Sequence, residues 1–222
     1  MSFIYHTIIG FAILVASPVI ALRAIFSSNF RSDFLKRIFG YKLLKPLNDC
    51  IWIHAASVGE VKLGGTLISA LKEKGETRPV ILSTFTSTGF DQAKKDGVEH
   101  VFIMPPDFFL WVNSLLNRLC PAMLILIEAE MWPGLISECN RRKIPVLLAN
   151  GRITQKSFDR YRSFSFIFKW IEKNLSFFSM RTKEDADRVI SLGVDPKKVA
   201  VNGNIKFDAL VSCKDVSPLE KK

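Results

Sequence analysis

From residue 50 onward the chain repeats one pattern. Short β-rich runs alternate with stretches long enough for a helix, and the run at residues 123–127 (MLILI) is apolar at every position. A strand with one face in water alternates apolar and polar residues, whereas a strand covered on both faces does not. Runs at residues 50–54, 80–84, 101–104, 123–127, 146–149, 177–181 and 199–201 read as strands. Residues 60–74, 88–95, 110–119, 134–142, 158–174 and 183–192 read as the helices between them. The fold class expected is therefore α/β, a Rossmann-like parallel sheet with helices on both faces. An apolar content of 48% across 222 residues is enough to fill such a core.

The first 49 residues do not follow that pattern. Residues 7–22 form an uncharged apolar run of 16 residues that ends at Arg23. A bilayer crossing needs about 20 apolar residues, a length reached only if residues 3–5 and 24–26 contribute around His6 and a snorkelling Arg23. No basic segment precedes the run, so it reads as an anchor helix rather than a signal peptide; a buried core helix is the alternative. Arg23, Arg31, Lys36, Arg37, Lys42 and Lys45 follow it, with only Asp33 against them. That bias predicts a body on the cytoplasmic side of the membrane, held by anionic lipids. The expected divisions are 1–26 as anchor, 27–49 as a basic juxtamembrane segment, 50–211 as the Rossmann-like domain and 212–222 as a linker or tail.

The net charge of +10 favours an anionic partner. Nucleic acid is the weakest candidate, because the basic residues gather beside the apolar run and are not interleaved with aromatics. Cys50, Cys120, Cys139 and Cys213 form no C-x-x-C pair, and His6, His54 and His100 are scattered, so neither a disulfide framework nor a metal site is expected.

Ligands of open α/β sheets bind beyond the carboxyl ends of the strands, which directs attention to two segments. In His54-Ala-Ala-Ser-Val-Gly-Glu60 a strand enters a small-residue turn and a helix opens. Ser57 and Glu60 have the spacing of a capping box. The small turn, Gly59 included, also lets a substrate approach the backbone, where Glu60 could act as a general base. In Glu128-Ala-Glu130-Met-Trp132-Pro133 an apolar strand ends in two acids. Lying two apart, Glu128 and Glu130 share one face if the chain stays extended. Without a local Lys or Arg they are either functional or paired with a distant cation.

Four collinear segments carry a family resemblance. IWIHAASVGEV, IEAEMWPGLI, LLANGRITQKSFDRY and TKEDADRVISLGVDPKKVAVNGNIKFD resemble, in order, motifs of the N-terminal domain of Kdo (3-deoxy-D-manno-octulosonic acid) transferases. The resemblance runs to about Asp208. It implies the acceptor-binding half of a GT-B glycosyltransferase, inverting and metal-independent with no cofactor, that transfers Kdo from CMP-Kdo to lipid A precursor in lipopolysaccharide biosynthesis. It also implies Glu60 as the catalytic base, a second important acid at Glu128 or Glu130 with Glu128 preferred, and acceptor or interdomain contacts at Arg152 and Ser157. Lys206 falls in the last motif without an assigned role. Two departures stand out: Gly151 where the family usually has Ala, and Met180–Arg181 where it often has Gln. Family members continue into a second, donor-binding domain, so these 222 residues alone are expected to be inactive. The competing readings are another GT-B lipid glycosyltransferase, disfavoured because AASVGE lacks a Gly-rich loop, and a membrane-tethered lipid-binding module or truncated remnant without turnover.

Overall fold

In the computed structural model, which describes residues 2–206 except Phe164, the polypeptide builds a seven-stranded parallel sheet. Its strands are β1 (Cys50–His54), β2 (Val80–Thr84), β3 (His100–Ile103), β4 (Pro121–Ile127), β5 (Val146–Gly151), β6 (Phe177–Met180) and β7 (Val199–Val201), in the order β3-β2-β1-β4-β5-β6-β7. The helices are α1 (Ser2–Phe26), α2 (Ser28–Phe39), α3 (Val58–Glu73), α4 (Ser87–Lys95), α5 (Phe109–Leu119), α6 (Pro133–Arg141), α7 (Gln155–Ser163), α8 (Ser165–Asn174) and α9 (Lys183–Ser191). The expected tail at 212–222 lies outside the described residues.

The pleat sorts each central strand between two cores. Trp52 of β1 and Leu124 and Leu126 of β4 join Val112, Leu115, Leu135, Ile136, Phe168 and Val189 from α5, α6, α8 and α9. Ile51 and Ile53 of β1 and Ile125 and Ile127 of β4 turn the other way, onto Val61, Leu63 and Ile68 of α3 and Ala93 of α4. Both faces of the sheet are thus covered, which accounts for the unbroken apolar run of β4.

Strand positions match the sequence reading to within two residues. α3, α4 and α7 start one to three residues earlier than expected because their capping residues lie further back, α5 and α6 start one residue earlier without a side-chain cap, and α9 starts at Lys183 as expected. Ser57, Thr86 and Thr182 each accept the backbone N–H of the third helical residue, at 3.4, 3.0 and 3.1 Å. Thr154 does the same for Ser157, at 3.2 Å, so α7 begins at Gln155 and not at 158. The basic segment at 27–49 has structure of its own: α2, capped by Ser27, runs into a short 3₁₀ turn at Gly40–Leu43. It is joined to the sheet domain through buried Ile38 and Tyr41.

Gly151 explains one family departure. It pairs with Met180 across β5 and β6, and a Cβ on Gly151 would sit 2.7 Å from Met180 Sδ and 3.0 Å from Leu148 Cδ2. Met180 is fully buried and fills the volume that an alanine methyl would need. Gly151→Ala is expected to destabilise the fold by about 1–3 kcal/mol through overpacking. In a double-mutant cycle with Met180→Ala the two changes should couple favourably, by about 0.5–3 kcal/mol. Urea denaturation of the four variants measures this, and strictly additive effects would show that Met180 gives way without cost.

Candidate active site at the carboxyl edge of the sheet

Because all the strands run parallel, the loops leaving β1, β4, β5 and β6 emerge along one edge. The strand order reverses between β1 and β4, where α3 goes to one face and α6 to the other, and such a switch point leaves a crevice. Glu60 follows β1, and Glu128 and Glu130 follow β4, so these acids flank that crevice.

Glu60 sits in the first turn of α3 as a completed capping box. Its Oε2 accepts the Ala56 N–H at 2.7 Å, Oε1 accepts the Ser57 hydroxyl at 3.0 Å, and its own N–H is given to Ser57 Oγ. The Ala56 carbonyl is held in turn by the Phe85 N–H at 3.2 Å and by the hydroxyl of Thr84. The carboxylate is therefore fixed in one rotamer. Partial burial nevertheless raises its pKa above the usual carboxylate range, helped by the charges of Glu130 and Glu128 and opposed by the Ala56 and Ser57 hydrogen bonds. Ser57 and Gly59 are exposed at the rim, and the nearest atom to a Cβ built on Gly59 is Ser57 Oγ, at 3.9 Å. That leaves room for a ligand against the turn.

The two acids after β4 do not share the face of an extended strand. β4 stops at Ile127, and Glu128 takes a left-handed conformation with φ +62°. An open-chain extrapolation of the strand missed this turn. Glu128 lies 3.8 Å from Arg181 Nη1, the residue after β6, and 3.5 Å from Asn150 Nδ2. The distant cation is thus Arg181, whose Nε is buried and finds no partner among the described residues. Glu130 instead accepts the indole N–H of Trp132 at 3.1 Å, and among the charges that raise the pKa of Glu60 it outweighs Glu128.

Trp132 leans edge-to-face on His54, with ring centroids 5.3 Å apart, and also meets Phe85. His54 is fully buried, its Nδ1 lies 2.8 Å from Ser83 Oγ, and burial pushes its pKa down to about 3, so the ring is neutral. Trp52 donates to the same Ser83 oxygen at 2.7 Å. Arg152 is exposed just after β5, on a loop clamped at Ile153: its N–H goes to Asp185 at 2.8 Å and its carbonyl accepts from Arg188 at 2.8 Å. Ser157 bonds to Thr154 within the first turn of α7 and lies outside the Glu60 cluster of hydrogen bonds. Sequence reasoning assigned no role to His54, Asn150 or Arg181. Arg181 and Asn150 were open to the rule that flagged Glu128, since both stand at the carboxyl ends of strands, whereas the contact of His54 with Trp132 carries no local sequence mark.

This edge, with its 3-2-1-4-5-6-7 order, defines a Rossmann-like domain of the kind found in GT-B sugar-nucleotide enzymes. Among solved structures it superimposes on UDP-GlcNAc 2-epimerase from Neisseria meningitidis bound to UDP-GlcNAc, with a TM-score of 0.59 and 14% identity, covering 75% of this chain and 50% of that one. The UDP complex of Staphylococcus aureus MnaA also gives 0.59, at 15% identity over 78% of this chain and 49% of the other. The sequence profile of the 3-deoxy-D-manno-octulosonic-acid transferases (kdotransferases) matches residues 32–209. The chain belongs to that glycosyltransferase family. It is 33% identical to a bifunctional glycosyltransferase/methyltransferase of Fusobacterium nucleatum over 87% of this chain and 31% of that protein. It is 29% identical to the 3-deoxy-D-manno-octulosonic acid transferase of Haemophilus influenzae over 88% and 48%. The chain thus spans about half or less of the length of these relatives.

If Glu130 raises the pKa of Glu60 through like charge, Glu130→Gln should move the titration of Glu60 to lower pH, because the ionised form no longer meets a neighbouring anion. Carbon-detected NMR of labelled glutamate side chains reads this directly; an unmoved Glu60 titration would show that Glu130 contributes nothing and leave the rise to burial and Glu128.

Proposed function

We propose that this chain forms the acceptor-binding wall of an inverting glycosyltransferase that moves Kdo from CMP-Kdo to the lipid A precursor of lipopolysaccharide, on the cytoplasmic face of the inner membrane. The observation that carries the reading is the Glu60 carboxylate, held in one rotamer at the switch-point crevice with its pKa raised. A base with a raised pKa binds a proton more readily at neutral pH and is better matched to removing one from a sugar hydroxyl in the transition state. In the proposed step Glu60 takes the proton of an acceptor hydroxyl while the oxygen bonds to the anomeric carbon of Kdo. The anomeric carbon–oxygen bond to CMP breaks, and its electron pair leaves with the phosphate.

Within this reading Glu130, oriented by Trp132, tunes Glu60, and Glu128 with Arg181 shapes the far wall of the crevice. Arg152 is assigned to an acceptor phosphate, for which a planar guanidinium is suited, and Ser57, Gly59 and Ser157 to contacts with the acceptor. The proposal calls on no cofactor or metal. The membrane part rests on α1, which over Ile4–Phe26 is long and apolar enough to cross a bilayer and has none of its apolar window buried against the protein, together with the basic residues that follow it.

Glu60→Gln separates the two roles of this residue, since glutamine also serves in a capping box. In a form carrying a donor-binding domain, the substitution should lower kcat about 10²- to 10⁴-fold with the fold intact. Near-normal turnover would remove Glu60 from the catalytic step. Radiolabelled transfer with the 222 residues alone is expected to be absent and to be restored when a donor-binding domain is supplied, because orientation against the leaving phosphate needs both walls.

A further inference from the structure

The apolar helix α1 is tied to the sheet domain at both ends. At its start, the Tyr5 hydroxyl donates to Asp107 at 2.8 Å, and the same carboxylate accepts the N–H groups of Gly134 and Leu135 at 2.7 Å each, at the first turn of α6. The His6 ring sits edge-on against Phe108 and Phe109, and Gly10 lies so close to Phe108 that an added Cβ would be 3.1 Å from its ring. At its other end a single residue, Ser27, separates α1 from α2. α2 returns to the body, where Arg37 donates to the carbonyls of Phe85, at 2.7 Å, and Met104, at 3.1 Å.

These ties decide how the helix can meet a bilayer. A crossing would carry Phe26 about 30 Å away from the face that holds Tyr5. α2 has 12 residues and Arg37 is the tenth, so it reaches only about 15 Å back to that residue. Had α1 crossed, α2 would have to return through hydrocarbon with Arg31, Asp33, Lys36 and Arg37 on it, and charged groups are strongly excluded from that region. The surface offered to lipid is nonetheless large. Phe11, Leu14, Ile25 and Phe26 are 67%, 68%, 67% and 84% exposed, and exposed Phe109 and Leu110 extend the apolar surface onto the tip of α5. An apolar groove of about 640 Å³ opens between α1 and Phe108–Phe109. Arg23 in the last turn of α1, Arg31 and Lys36 on α2 and Lys42 in the turn after it supply positive charge complementary to anionic headgroups.

We propose that α1 and α2 form a monotopic hairpin. α1 is immersed in the near leaflet of an anionic phospholipid bilayer without crossing it, and the N terminus stays on the same side as the sheet domain. This rests on the membrane reading above. The test places a cysteine at Ser2 (Ser2→Cys) in the full chain with Cys120 and Cys213 replaced by serine, leaving buried Cys50 and Cys139 in place. Inner membranes are treated with a membrane-impermeant maleimide–polyethylene glycol, as inside-out vesicles and as intact spheroplasts. The mass shift is expected in the vesicles and to be at least tenfold weaker in spheroplasts. Labelling from the spheroplast side, or only after detergent, in a membrane-bound chain would overturn the hairpin alone. Recovery of the chain in the soluble fraction without detergent would overturn the membrane reading together with it.

Discussion

The pairing of β1 with β4 is the constraint on which the site depends. Trp52, Ile53 and His54 lie beside Leu124, Ile125 and Leu126, and all six side chains are buried. A parallel register buried on both faces cannot slip by one residue without sending each strand's side chains into the wrong core. The register therefore fixes where both strands stop, and so brings the Glu60 turn alongside the Glu128–Trp132 turn. Since α3 and α6 then leave to opposite faces, the two loops flank the switch point, where open α/β sheets leave a crevice.

What could be read from sequence follows from how local its cause is. The strands were legible because double-sided burial leaves a continuous apolar run, and the capping box at Ser57 and Glu60 because it is set by a spacing of three. The departures at the site and at the apolar helix have non-local causes. Glu128 turns left-handed where its carboxylate meets Asn150 and Arg181, contributed by β5 and by the residue after β6. The tie between Tyr5 and Asp107 spans 102 residues, so a scan for an anchor finds the apolar run and misses what holds it. The Gly151 departure had no meaning in isolation and acquires one only beside Met180, its partner on the next strand.

The basic segment and the crevice are physically continuous. Arg37, at the end of α2, places its guanidinium 4.5 Å from the centre of the Phe85 ring while bonding the Phe85 carbonyl. Phe85 meets Trp132, and Trp132 holds Glu130. A displacement of α2 would therefore reach the acid that tunes Glu60 through three contacts, each of them aromatic or charge-assisted. Burial lowers the pKa of Arg37, with Asp33 acting in the opposite direction, yet an arginine keeps its charge under all ordinary conditions. The linkage is thus mechanical and does not depend on a proton.

For Glu60 the capping role and the proposed catalytic role are not alternatives. Its hydrogen bonds to Ala56 and Ser57 use one lone pair on each oxygen and hold the side chain still, while a carboxylate has about four acceptor sites in all. Capacity remains to accept a proton from a hydroxyl lodged against the Ala-Ser-Gly turn. The bonds that cap the helix stabilise the ionised form, and burial with the nearby Glu130 opposes them and prevails. A surface cap lacking that opposition would keep an ordinary or lowered pKa and make a weak base. What distinguishes this capping box from the one at Thr182, where Asp185 is spent on the Ile153 N–H, is that its carboxylate faces two other acids across the crevice.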